Sequence, residues 1–375
     1  ADGRWLAYDA TDNQVYVWDS IADSNTLVSV NAAGTGLATG ISKSPVIAAD
    51  GRNVAFLSTA TNLVANITIP RNSGFQIYAR DLTLPTNRLV CMSSSGQPSA
   101  RDLEYTLPSL SQDGQLMAFE STDDALVADD LNQASDVFLR DLAGETIELL
   151  SARNAALPTR TAAGISRVQS FGLSPDGRFA VFSSYDSNLV PGDTDGMPNL
   201  FIRDLISSTS MPINIETNGW FATNRSGVHP IISSNGQYVL FLKPTWERGY
   251  IYPSTMQLLR WNRMNGTSEE IEPGLKIQNT AMLEFEKRGA PDMSPDGNSV
   301  AYLAKVTYGD TVPLFLRDIT ARTNRLVNRN ISMPPTIIQP AFGYSKQPRF
   351  SPDGRWLVFQ SQGIPLTTNI VRRGG

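Results

Sequence analysis

Cysteine and histidine are almost absent from this chain: among 375 residues, Cys91 and His229 each stand alone. One cysteine excludes an intrachain disulfide and a cysteine-held metal. One histidine excludes a multi-histidine copper or zinc centre. No apolar run approaches the about eighteen residues that a membrane-crossing helix needs, so no direct membrane span is expected. An excess of basic charge is lacking too. The 31 Lys and Arg against 36 Asp and Glu leave a net charge of −5, and without a basic stripe to displace counterions no nucleic-acid partner is expected. No G-x-S-x-G elbow occurs, so a triad built on His229 has no nucleophile loop, and the chain is read as non-catalytic.

What the chain does have is a repeat. An Asp-Gly or Asn-Gly pair begins at Asp2, Asp50, Asp113, Asp176, Asn235, Asp296 and Asp353. Six residues later stands an aromatic in every copy: Tyr8, Phe56, Phe119, Phe182, Phe241, Tyr302 and Phe359. Five residues before the pair lies Pro45, Pro108, Phe171, Pro230, Pro291 or Pro348, placed at the entry of an inner strand. Asp-Gly and Asn-Gly supply the positive φ of a two-residue hairpin turn, so each copy reads as strand, tight turn, strand. The apolar run after the turn, as in Phe179 to Phe182, has the composition of a buried strand.

A third strand follows in the pattern Phe-Leu-Arg-Asp-Leu, ending at Asp81, Asp141, Asp204 and Asp318, with variants at Val15–Asp19 and Leu258–Asn262. A fourth run follows most of these, as at Thr86–Val90, Thr146–Leu150 and Thr323–Val327. Four antiparallel strands recurring at intervals of 48 to 63 residues predict an all-β chain, a β-propeller with each unit one blade. Seven turn pairs predict seven blades, in a single domain over residues 1–375 and with incomplete terminal blades. Unit one has no residues for an inner strand, and Ile370–Arg373 offers a third strand with no fourth. The chain is therefore expected to be a segment of a longer polypeptide. The seven aromatics are expected to pack between blades, and the Arg-Asp pairs to tie strands or blades rather than form catalytic dyads, since neighbouring strand residues face opposite ways.

The segments Ser174 to Ser183, Ser294 to Gly297 and Ser351 to Phe359 resemble the repeat of the TolB-type, WD40-like bacterial β-propellers, and the resemblance extends over all seven units. It implies an extracytoplasmic protein, periplasmic, secreted or at the cell surface, that acts as a non-catalytic binding or scaffolding module for a protein partner or larger assembly. Two alternatives are an accessory propeller of a hydrolase whose catalytic domain lies elsewhere, and a structural subunit of a cell-surface layer or filament.

Candidate sites are few. Asp193, Asp195 and Asn199, with Gly196 after the second, resemble part of a calcium loop, in which hard oxygens surround the ion. Asp130, Asn132 and Asp136 stand at the same offsets in the preceding unit as a weaker set, and calcium is the one cofactor these residues suggest. Trp246, Arg248, Tyr250 and Tyr252 alternate in a loop where solvation alone favours small polar residues, the composition of a binding hot spot. His229, directly before Pro230, is a candidate contact at one mouth of the central channel. Asp292 and Arg349 are candidates to line that channel, and Cys91 reads as a small buried hydrophobe.

Overall fold

The computed structural model describes residues 4–70, 73–84, 86–103, 108–128, 130, 132–152, 164–187, 189–191, 193, 199–213, 228–245, 255–271, 277–278, 291–303, 313–328, 345–351 and 353–361. These residues contain strands, turns and loops but no helix, and the strands form antiparallel sheets in chain order, the β-propeller arrangement of successive blades. Blade one has β1 (Trp5–Asp9), β2 (Val15–Asp19) and β3 (Ser24–Leu27). Blade two has β4 (Ser42–Ile47), β5 (Asn53–Ser58), β6 (Gln76–Asp81) and β7 (Thr86–Leu89). Blade three has β8 (Ser109–Leu110), β9 (Leu116–Ser121), β10 (Asp136–Asp141) and β11 (Thr146–Leu149). Blade four has β12 (Ser166–Leu173), β13 (Phe179–Ser184), β14 (Asn199–Asp204) and β15 (Thr209–Pro212). Blade five has β16 (Val228–Ile232), β17 (Tyr238–Thr245), β18 (Thr255–Asn262) and β19 (Thr267–Glu270), with β20 (Ile277–Gln278) pairing β18. Blade six has β21 (Asp292–Met293), β22 (Ser299–Leu303), β23 (Leu314–Asp318) and β24 (Thr323–Leu326).

The seventh turn pair yields only a hairpin, β25 (Ser345–Phe350) with β26 (Leu357–Ser361). The described residues thus build six blades where the turn pairs predict seven. The expected third strand at 370–373 lies outside the described residues. The chain divides into two compact units, Gly3–Ser226 with blades one to four and Gly227–Gly375 with the remainder.

The turn differs from the expected two-residue type. In blade three the ladder closes at Ser111 and Leu116, so four residues lie between them. Only the glycine of each described pair has positive φ, as at Gly114 (65°) and Gly177 (69°). Aspartate stays in the ordinary region because its side chain is already engaged. Asp176 Oδ1 accepts Ser174 Oγ–H at 2.6 Å and the Arg178 N–H at 3.0 Å, while Ser174 Oγ takes the Phe179 N–H at 2.8 Å. The same set recurs at Ser111/Asp113, Ser233/Asn235, Ser294/Asp296 and Ser351/Asp353. An Asx turn closed by a serine is what the repeated Ser-x-Asp-Gly encodes.

Pro108 and Pro291 stand directly before β8 and β21, at the strand entry as expected, but three other prolines sit deeper. Pro45, Pro230 and Pro348 lie inside β4, β16 and β25, where each ladder shifts register, between Lys43 and Val46, Val228 and Ile231, and Lys346 and Arg349. Proline has no N–H to give the ladder, so the strand bulges there.

Of the repeated aromatics, Phe56, Phe119, Phe182, Phe241 and Tyr302 are buried and Tyr8 and Phe359 half-buried, and those of blades two to four belong to cores that span neighbouring blades. Phe56 and Phe119 share a cluster with Val17, Tyr78 and Phe138, whereas Phe182 and Phe201 pack with Ala118 and Val137 of blade three. Phe56, Phe182 and Tyr302 also stack across their own sheets on the third strand, with centroids 5.9 Å apart for Phe56–Tyr78 and 5.8 Å for Phe182–Phe201 and Tyr302–Phe315, whereas Phe241 faces Leu259. Cross-strand aromatic pairs at such separations add to the gain from burial. At the turn end, backbone hydrogen bonds join successive blades: Ala49 N–H to Gln112 O at 3.0 Å, Gln112 N–H to Pro175 O at 2.6 Å, and Ser234 N–H to Pro295 O at 2.9 Å.

Candidate functional site

The recurrent Asp at the end of the third strand is a structural group. Asp19, Asp81 and Asp204 each bind the arginine two residues after the turn aspartate of the same blade: Arg4 at 2.6 Å, Arg52 at 2.8 Å and Arg178 at 3.0 Å. The Arg4 guanidinium holds the Asp19 carboxyl well below the usual carboxylate range. Arg140, next to Asp141 and so on the opposite face, turns the other way, its Nη1 reaching Met92 O of blade two at 3.5 Å. Blade five has Trp261 in that place; its Arg260, on the same face as Asn262, binds Glu269 and, across to blade six, the Gly297 carbonyl. These side chains tie sheets and blades.

A second repeated polar group lies where the third strand begins. Gln14, Gln76, Asp136 and Asn199 occupy this place in blades one to four, and all are buried. A hydroxyl or thiol after the fourth strand clasps it in the first three: Ser29 Oγ–H to Gln14 Oε1 at 2.6 Å, Cys91 Sγ–H to Gln76 Oε1 at 2.9 Å, and Ser151 Oγ–H to Asp136 Oδ1 at 2.6 Å. Cys91 is thus a buried hydrogen-bond donor as well as core, its thiol pushed up to about 12 by burial. Where the residue is an amide, its NH₂ donates to an oxygen opposite: Gln14 to Ala38 O, Gln76 to Ser73 O and Arg101 O, and Asn199 to Asp193 Oδ1 at 3.0 Å.

Blade three alone puts a carboxylate there. Asp136 Oδ2 accepts from Asn132 Nδ2 at 2.6 Å. Asp130, at the position of Asp193, is 3% exposed and takes the Asn132 backbone N–H, but its Oδ1 is buried with no hydrogen-bond partner among the described residues. Asp124 Oδ1 is buried in the same condition. Burial, with the Asp136 and Asp124 charges, pushes the Asp130 carboxyl up to about 7. Burial likewise pushes Asp136 up to about 6, against the bonds from Ser151 and Asn132 and with the Asp124 and Asp186 charges adding. Among the described residues no three His, Cys, Asp or Glu side chains are grouped to hold a metal ion. The feature is a pair of buried carboxylates linked by Asn132.

Of the residues picked out in the sequence, Asp193 and Asn199 are brought together, and the amide turns its nitrogen to the carboxylate. Asp195, Trp246, Arg248, Tyr250 and Tyr252 lie outside the described residues. His229 is placed on β16 by its backbone alone. Asp292 is buried, accepts the Phe350 N–H at 2.6 Å and feels the Arg349 charge, so the two inner strands β21 and β25 are joined through it. The carboxylate pair of blade three was visible in sequence only as an offset match to Asp193. Aligning the first residues of the third strands shows three amides and one acid.

No family model and no characterised protein sequence matches the chain. Solved structures do. An oligogalacturonate lyase from Vibrio parahaemolyticus aligns with 96% of this chain and 83% of its own, at 10% identity and a TM-score of 0.51. Prolyl endopeptidases align with 91% of this chain and 41% of theirs, at 10% identity and 0.53. TolB from Acinetobacter baumannii aligns with 85% of this chain at 14% identity and 0.46, and the chain spans 62% of its length. Repeat and fold together make the chain a β-propeller, an architecture that also occurs in lyase and peptidase chains.

Proposed function

We propose that this chain is a non-catalytic, extracytoplasmic binding propeller whose role is to hold a protein partner within a larger assembly, the whole chain acting as one propeller domain. The observation that carries the reading is how the repeat employs its reactive groups. The repeated serine closes its turn, the strand-end aspartates hold turn arginines, and the buried amides are clasped within their own blades. These residues build the scaffold, and recognition falls to what differs between units, foremost the Trp246, Arg248, Tyr250 and Tyr252 segment with His229. Aromatic and arginine side chains are the usual anchors of protein interfaces.

The test is affinity isolation from the source with wild type and Trp246→Ala. A partner held by wild type is expected to be lost by at least tenfold in the variant, with the melting temperature unchanged. Equal loss of binding and of thermal stability would assign Trp246 to packing instead. A second reading, an accessory propeller beside a hydrolase domain, is favoured by the alignment with 41% of a prolyl endopeptidase chain; under it, Trp246→Ala leaves the partner profile unchanged.

A further inference from the structure

The third strands of blades one, two and four begin with a neutral amide that gives its N–H to a facing oxygen. In blade three this donor is gone. Asp136 replaces it, and the facing carboxylate, Asp130, keeps one buried oxygen without a partner among the described residues. Asn132 links the two, its Nδ2 donating to Asp136 Oδ2 at 2.6 Å and its backbone N–H to Asp130, so both carboxylates flank one residue. A second buried oxygen, Asp124 Oδ1, is equally without a partner and acts on both. Buried carboxylate oxygens left unmatched are costly, and a buried like-charged pair more so. The described acidic side chains at the site, Asp124, Asp130 and Asp136, offer carboxylate oxygen, the ligand chemistry of a hard cation rather than of zinc or copper.

We propose that blade three carries a calcium-binding site in which Asp130 and Asp136 share one ion, standing where the Asn199 amide stands in blade four. With two carboxylates rather than three converging, backbone carbonyls and water complete the coordination, and Asp124 strengthens the field. A larger, flexible coordination shell suits calcium better than magnesium, which demands a tight octahedron. The proposal is independent of the partner-binding reading above.

Isothermal titration of CaCl₂ into the metal-stripped full chain at pH 7.5 tests it, run to about 10 mM, above the 10⁻⁴ to 10⁻³ M range of weak extracellular calcium modules. Wild type is expected to bind one calcium per chain and to melt higher with calcium. Asp136→Asn rebuilds the neutral clamp of blade four, so it is expected to fold, to lose the binding and to show no calcium-dependent rise in melting temperature; Asp130→Asn serves as the second variant should that one fail to fold. Asp193→Asn is expected to leave binding intact. Absence of binding by wild type would mean that the pair is held by a proton alone, and would overturn the proposal. So would retention of calcium by Asp136→Asn, or its loss in Asp193→Asn.

Discussion

Glu120 shows how single side chains tune this scaffold. It sits on β9, accepts the Val168 N–H of blade four at 2.8 Å, and burial pushes its carboxyl up to about 7 against the pull of the Arg167 charge. Its folded value lies above the unfolded one near 4.3. Between the two, the folded state binds more protons than the unfolded chain, so this group makes stability fall as pH rises from about 4 to about 7. Glu120→Gln is expected to lessen that fall, by at most about 1.4 kcal/mol per pH unit, as denaturant midpoints across the window will show. An unchanged slope would mean that Glu120 titrates normally. Single residues of this kind were poorly legible in the sequence. Glu120 lies in a run that reads simply as strand, and Asp136 is set apart only once Gln14, Gln76 and Asn199 are known to share its place. Burial, not identity, creates their chemistry.

The elements were far more legible, because turn chemistry and strand alternation are local. Third strands ending in Arg-Asp and fourth strands beginning at Thr86, Thr146 and Thr323 stand where the repeat puts them. Two features needed three dimensions. The Asx turn depends on Ser174 reaching over to Asp176, and the glycine after it has a duty to the preceding blade. A Cβ on Gly297, at φ +77°, would lie 2.3 Å from Tyr238 Cδ2 of blade five, whereas Gly96, also at +77°, faces open space. Alanine at either position costs about 1 to 3 kcal/mol of backbone strain. Gly297→Ala is expected to exceed Gly96→Ala by the cost of moving Tyr238, which comparison of their denaturant midpoints will measure. Equal losses would mean that the blades yield freely at this contact.

For the whole molecule, the recurrence of the repeat predicted a propeller correctly and its blade count incorrectly. Among the described residues, six units supply three to five paired strands, while the last supplies a hairpin. A turn signal marks a hairpin and is blind to whether further strands complete it. Function is legible at this scale only by exclusion, since a repeat specifies the scaffold and the recognition proposed above is assigned to departures from it such as Trp246. The central claim, that the chain works by holding another protein, is tested most directly by comparing native and denaturing mass spectra of the protein isolated from its source. The account predicts a native mass well above the denatured one, the difference being a second polypeptide in fixed ratio. Equal native and denatured masses would contradict it.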